Sequence, residues 1–232
     1  MHDGKGRYTM SCRSCMNSLL EIVLGLTVLC LLVHTPAHAQ NQAGGIIVAF
    51  GDSLTSGYGV RPDKAYPAQL ERRLRASGYP WQVINAGITG ETSSEALRRV
   101  RSVLGLMPDI VVLETGLNDA MIGLDLRNTR RNIEEIVRIL QEKRVTVILA
   151  GMQTLNASKR NPAFEELYPD IARKYNLTLI PFFLANVAGN PALNLYDGIH
   201  PTAEGYRQVT RTVYPYVKKA IKQRAAANFA PR

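Results

Sequence analysis

Cysteine and histidine are scarce in this chain, and both scarcities are informative. Only Cys12, Cys15 and Cys30 are cysteines, and only four residues are histidines. All three cysteines, with His2, His34 and His38, fall within residues 1–39. That stretch reads as an export signal peptide. Lys5, Arg7 and Arg13 give it a positive start, and Leu19 to Val33 is apolar except for Glu21. Ala37-His38-Ala39 has the small-x-small pattern of a signal-peptidase site. Cleavage is expected after Ala39, giving a periplasmic or secreted protein, with Met10 as an alternative start. The rival, an uncleaved membrane anchor, needs a longer apolar run than this one. A lipidated Cys30 is disfavoured because Leu29 is bulky.

Without the leader the chain has no cysteine and a single histidine, His200. This excludes a disulfide framework and any His/Cys metal cluster. The leader holds three bases and two acids, so the net charge falls from +9 to +8. The bases are spread over helices, with a cluster at Lys218, Lys219, Lys222 and Arg224. This reads as a solvated helix face, at most giving peripheral contact with an anionic surface. No interleaving of basic and aromatic residues points to nucleic acid. A monomer is expected.

What is present is alternation. Apolar runs at Ile46–Phe50, Gln82–Asn85, Ile110–Glu114, Val145–Ala150 and Leu177–Pro181 read as strands. Between them lie amphipathic stretches: Tyr66–Ala76, Ser93–Leu106, Asn128–Glu142 and Phe164–Tyr175. Thr202 can cap a last helix to about Arg224, with 225–232 as a flexible tail. The pattern predicts one α/β domain over 46–224, a three-layer α/β/α sandwich with about five parallel strands and right-handed crossovers.

Three turns then fall at the carboxyl ends of the first three strands, where open α/β sheets bind ligands. They are Gly51-Asp52-Ser53, Asn85-Ala86-Gly87 and Gly116-Leu117-Asn118-Asp119. A fourth segment, Asp197-Gly198-Ile199-His200-Pro201, follows the last strand. Singly each is ordinary: a turn, a tight-turn glycine, a helix cap, a turn signal. Together they supply what acyl transfer needs. Ser53 is the candidate nucleophile, His200 the available base, and Asp197 the carboxylate that would hold its tautomer. The backbone N–H groups of Ser53 and Gly87 and the Asn118 amide can form an oxyanion hole.

Gly51-Asp52-Ser53-Leu54, Gly87, Gly116-x-Asn118-Asp119 and Asp197-x-x-His200 resemble the four blocks of the SGNH (GDSL) hydrolase family. The longer stretches 51–59, 85–93 and 180–184 are similar to its small exported branch of arylesterases, acyl-CoA thioesterases and lysophospholipases. The resemblance implies a flavodoxin-like sandwich, a Ser53-His200-Asp197 triad, the same three oxyanion donors, and no metal or organic cofactor. Leu117 stands where that branch usually has a small residue, and the stretch 152–159 looks shortened.

Leu184, Val187 and Leu193 are expected to line an acyl or aryl pocket, with Leu117 and the Met121 segment on the opposite wall. The reading is a hydrolase of small acyl, aryl or lysophospholipid esters and acyl thioesters. Its alternatives are a carbohydrate O-deacetylase using the same triad, and a non-catalytic module using the Ser53 turn as an anion nest. The paired His200 and Asp197 argue against the second, because binding needs no general base.

Overall fold

The computed structural model describes residues 44–154 and 161–229. The expected signal peptide (1–39) and most of the shortened 152–159 stretch lie outside the described residues. Five strands form one parallel sheet: β1 (Ile46–Gly51), β2 (Gln82–Gly87), β3 (Ile110–Leu113), β4 (Thr146–Ala150) and β5 (Thr178–Ile180). Their order is β2-β1-β3-β4-β5, the flavodoxin-like order. The register is set by Ile47 opposite both Val83 and Ile110, and by Val111 opposite Val147.

Among the described residues seven α-helices accompany the sheet: α1 (Ser53–Ser56), α2 (Tyr66–Ala76), α3 (Ser93–Leu104), α4 (Leu117–Met121), α5 (Leu126–Glu142), α6 (Pro162–Lys174) and α7 (Ala203–Phe229). Helices α2 and α7 pack together, α3 packs on α5, and α5 on α6. The central strands are β-branched and apolar because both faces are covered. Ile47, Val48, Ala49 and Phe50 of β1, and all four residues of β3, have no exposed surface. Each buried Val, Ile, Leu or Phe side chain contributes roughly 1.5–3 kcal/mol of transfer free energy.

Beyond shifts of one or two residues at element ends, two features differ from the sequence reading. Leu117–Met121 is a short helix directly after β3, where only a turn was expected. Helix α7 runs to Phe229, beyond the expected end near Arg224. Ala225, Ala226 and Ala227 have the highest helix propensity of any residue, so the helix continues through them. Thr202 caps α7 as expected, its Oγ1 accepting from the Gly205 N–H at 3.2 Å. Among the described residues no helix is long and apolar enough to cross a membrane.

Strands β1 and β3 diverge in their connections: β1 leads to β2 on one side, and β3 leads to β4 on the other. The crevice at their carboxyl ends is the topological switch point of this fold. The turns carrying Ser53 and Asn118 both open onto it.

Candidate active site

The chain leaves β1 at Gly51 and starts a helix at once, so Ser53 sits at the tip of a strand-to-helix turn. Asp52 is the N-cap, its Oδ1 accepting from the Leu54 N–H at 2.9 Å. This satisfies one of the otherwise unpaired donors at a helix start. The Ser53 N–H itself has no partner among the described residues. It points from the start of α1, as an oxyanion donor must.

His200 reaches this turn from across the crevice. Its Nε2 lies 2.9 Å from Ser53 Oγ, and its Nδ1 lies 2.7 Å from Asp197 Oδ2. Pairing Nδ1 with a carboxylate places the ring proton there and leaves Nε2 as an acceptor. The other Asp197 oxygen accepts the backbone N–H groups of Ile199 (2.9 Å) and His200 (3.0 Å). Partial burial alone would raise the Asp197 pKa. The hydrogen bonds from the His200 ring, the His200 N–H and the Ile199 N–H outweigh it and hold the carboxyl below its usual range. The loop is clamped at its neck, where Asn194 bridges Pro201 and the Leu195 N–H donates to the His200 carbonyl at 2.7 Å. Tyr58 packs against the imidazole, with ring centroids 4.5 Å apart.

Gly87 is required by contact. A Cβ there would sit 2.2 Å from the Ser56 nitrogen, so only glycine lets β2 approach α1 this closely. Its N–H donates to the Asn85 Oδ1 at 3.0 Å, and Asn85 in turn donates to the Ser56 carbonyl. Asn118 Nδ2 donates to the Glu91 carbonyl at 2.8 Å and to Asp52 Oδ2 at 3.2 Å. The three expected oxyanion donors therefore flank one crevice. Only the Ser53 N–H is unengaged, and a substrate carbonyl would share the bonds of the other two.

Beneath Ser53 lies a feature that the sequence reading missed. Glu114, the residue after β3, is fully buried. Its Oε2 accepts from Thr55 Oγ1 (2.9 Å) and from the Asp52 N–H (3.2 Å). Its Oε1 has no partner among the described residues. A buried carboxylate oxygen without a donor is costly, whereas a neutral acid tolerates it. Burial first, and the Asp52 charge second, push the Glu114 pKa well above normal. Asp52 is pushed up to about 6 by burial, against the opposing pull of the Leu54 N–H, Glu114 and His200. Of the two neighbouring acids, Glu114 is the one whose surroundings favour the neutral form more strongly. The available signal was a charged residue closing an otherwise apolar buried strand.

Nearby acids are each answered. Arg99 pairs with Glu91 and donates to the Ala86 carbonyl at 2.8 Å. Asp119 accepts from the Ser93 N–H at 2.8 Å and from Thr129 Oγ1 at 3.1 Å. Among the described residues, no group of three or more His, Cys, Asp or Glu is placed to hold a metal ion.

The expected pocket residues need correction. Leu184 and Val187 have no exposed surface and Leu117 is 4% exposed, so they belong to the core and line no open pocket. Leu193 is partly buried against the same core. Met121 is exposed, and it is not alone. Tyr58, Ile88, Met121, Ile122, Leu124 and Tyr196 are all large, apolar and exposed. They come from the four segments that carry the Ser53, Gly87, Asn118 and Asp197 groups.

The chain is similar to known proteins in both sequence and fold. The chain is 31% identical to Esterase TesA of Pseudomonas aeruginosa over 185 residues, covering 78% of this chain and 92% of that one. It is 30% identical to the Thioesterase 1/protease 1/lysophospholipase L1 of Escherichia coli K12 over 165 residues, covering 70% and 78%. Among solved structures it resembles AlinE4, an SGNH-hydrolase family esterase, at 38% identity and a TM-score of 0.63, covering 77% of this chain and 97% of that one. Residues 49–208 match the GDSL-like Lipase/Acylhydrolase family, and the chain belongs to that family.

Proposed function

We propose that Ser53, His200 and Asp197 form the catalytic triad of a serine hydrolase acting on carboxylic esters and thioesters. Ser53 Oγ attacks the substrate carbonyl carbon as its proton passes to His200 Nε2. Asp197 holds the Nδ1 proton and stabilises the imidazolium. The tetrahedral oxyanion is met by the N–H groups of Ser53 and Gly87 and by the Asn118 amide. As it collapses, the leaving alcohol or thiol takes the proton from His200, leaving an acyl-serine. Water then attacks that carbonyl as its proton passes to His200, and collapse of the second intermediate returns that proton to Ser53 Oγ and releases the acid. The observation that carries this reading is the 2.9 Å and 2.7 Å relay from Ser53 through His200 to Asp197.

The exposed apolar side chains around the crevice support acyl and aryl substrates, lysophospholipids among them, over acetylated sugars. Ile88, Met121, Ile122 and Leu124 make most of the mouth aliphatic, with Tyr58 and Tyr196 as its aromatic faces. The relatives named esterase, thioesterase and lysophospholipase agree with this choice.

The test is a chain-length series of p-nitrophenyl esters beside an acyl-CoA and a lysophospholipid, with fluorophosphonate labelling. Hydrolysis and labelling are expected in the native chain and neither in Ser53→Ala. Absence of labelling at Ser53 would sink the proposal. Export rests on residues 1–39, and a mature amino terminus at Gln40 after secretion is its check. The monomeric state is read by sedimentation.

A further inference from the structure

Beside the catalytic loop, and separate from the triad, a groove of about 510 Å³ runs between α2 and α7. Lys64, Arg72, Arg73, Arg207 and Arg211 line it, and no acidic side chain does. The nearby acids stand outside it: Asp63 pairs with Arg61 and Lys64, and Glu204 pairs with Arg207. Three guanidiniums have no carboxylate partner among the described residues. Arg72 donates to the Asp63 backbone carbonyl at 2.8 Å, Arg73 lies over the Tyr214 ring at 4.3 Å, and Arg211 donates to the Gln208 side chain.

The floor of the groove is fixed. Gln69 Nε2 donates to the Lys64 carbonyl at 2.6 Å and to the Ala203 carbonyl at 3.3 Å, tying the turn before α2 to the first residue of α7. Ala203 is three residues past His200, so the groove opens beside the loop that carries the base. Lys64 and Arg207 are paired at the groove's edge with Asp63 and Glu204, whereas Arg72, Arg73 and Arg211 hold like charge around one concavity with no carboxylate partner among the described residues. Guanidinium groups present donors in a fork that matches phosphate oxygens. An apolar acyl chain finds no lining of its own kind there.

We propose that this groove is a phosphate-binding site, filled by the phosphate of a lipid headgroup or by that of a soluble phosphorylated compound. A phosphodiester or pyrophosphate meets several guanidiniums at once, which a single carboxylate cannot. The site stands on its own lining and does not rest on the chemistry assigned to Ser53.

The test uses the full chain with its leader removed. Sedimentation with phosphatidylglycerol vesicles is compared with phosphatidylcholine vesicles, and calorimetric titration uses inorganic pyrophosphate. The double variant Arg72→Gln with Arg211→Gln is set against Lys219→Gln with Lys222→Gln, which removes the same charge farther along α7. Loss of roughly tenfold or more in affinity is expected for the arginine pair, and less than twofold for the lysine pair. Binding only to phosphatidylglycerol vesicles assigns the lipid source, and binding of pyrophosphate assigns the soluble one. Equal losses in both double variants, or no binding of either probe by the native chain, would overturn the site. Hydrolysis of p-nitrophenyl acetate is expected to be unchanged in both. That readout separates a failure of this site from a failure of the hydrolase reading.

Discussion

Glu114 Oε2 lies 3.2 Å from the Asp52 backbone nitrogen, directly under the turn that presents Ser53. The same Asp52 holds Asn118 through its Oδ2 and the Leu54 N–H through its Oδ1. A proton kept on Glu114 lets Asp52 stay anionic and orient both groups. Replacing Glu114 by Gln retains a donor toward Asp52, and near-native activity at pH 7 is expected. Glu114→Leu removes the donor, so the Asp52 pKa should rise above about 6. The acid limb of the kcat/KM profile for an uncharged ester should then move to higher pH. Identical pH profiles for the Gln and Leu variants would contradict this role.

The raised pKa of Asp52 also has a stability signature. Its value moves from 3.8 in the ordinary state to about 6 in the fold. Between those limits the folded chain holds a proton that the unfolded chain has released, so this group's contribution to stability falls as pH rises through the window. The size is up to about 3 kcal/mol. Urea midpoints for native protein and Asp52→Asn, compared from pH 4 to 7, should diverge with that sign. Parallel curves would refute it.

Asn118→Ala removes one oxyanion donor and leaves the triad in place. A fall of about 10²–10³ in kcat is expected with little change in KM. Asp197→Asn should cost about 10⁴ in kcat, because an amide favours the wrong tautomer of His200. A KM effect without a kcat effect in either variant would show that substrate positioning, not transition-state stabilisation, had been lost.

The exposed rim is proposed to contact the acyl group of the substrate. Met121→Ser with Ile122→Ser removes two large apolar side chains from beside Asn118. A rise of roughly tenfold or more in KM for a decanoyl ester is expected, with acetyl ester kinetics unchanged. Leu184→Ala should act differently, lowering stability by about 2–5 kcal/mol as a core truncation. Selectivity altered by Leu184→Ala alone would reverse this assignment.

Much of this was legible in the sequence because its signals are local. Apolar runs bounded by glycine and polar turns marked all five strands. With the other histidines confined to the expected leader, elimination left His200 as the base, and Asp197 lay three residues away. The Asp52–Glu114 contact was not legible, since the two residues are separated by 62 positions and meet only when β1 and β3 pair. The pocket residues were misplaced for a related reason. An apolar residue in a loop has no period to say whether it turns toward solvent or core, so Leu184 and Met121 look alike until the sheet end is built. The length of α7 was missed because the alanine run lacks the amphipathic pattern that marks a packed helix.

The clamp between Asn194 and Pro201 makes the base and its carboxylate one body. Its contact with the serine turn is the approach of His200 Nε2 to Ser53 Oγ. A hinge motion at that neck would disconnect the whole proton relay in one step, while the sheet and the serine turn stay intact. Catalysis should therefore fail as a switch, below the temperature at which the fold melts. Loss of activity that tracks the loss of far-ultraviolet circular dichroism would argue instead for a relay as robust as the sheet that carries it.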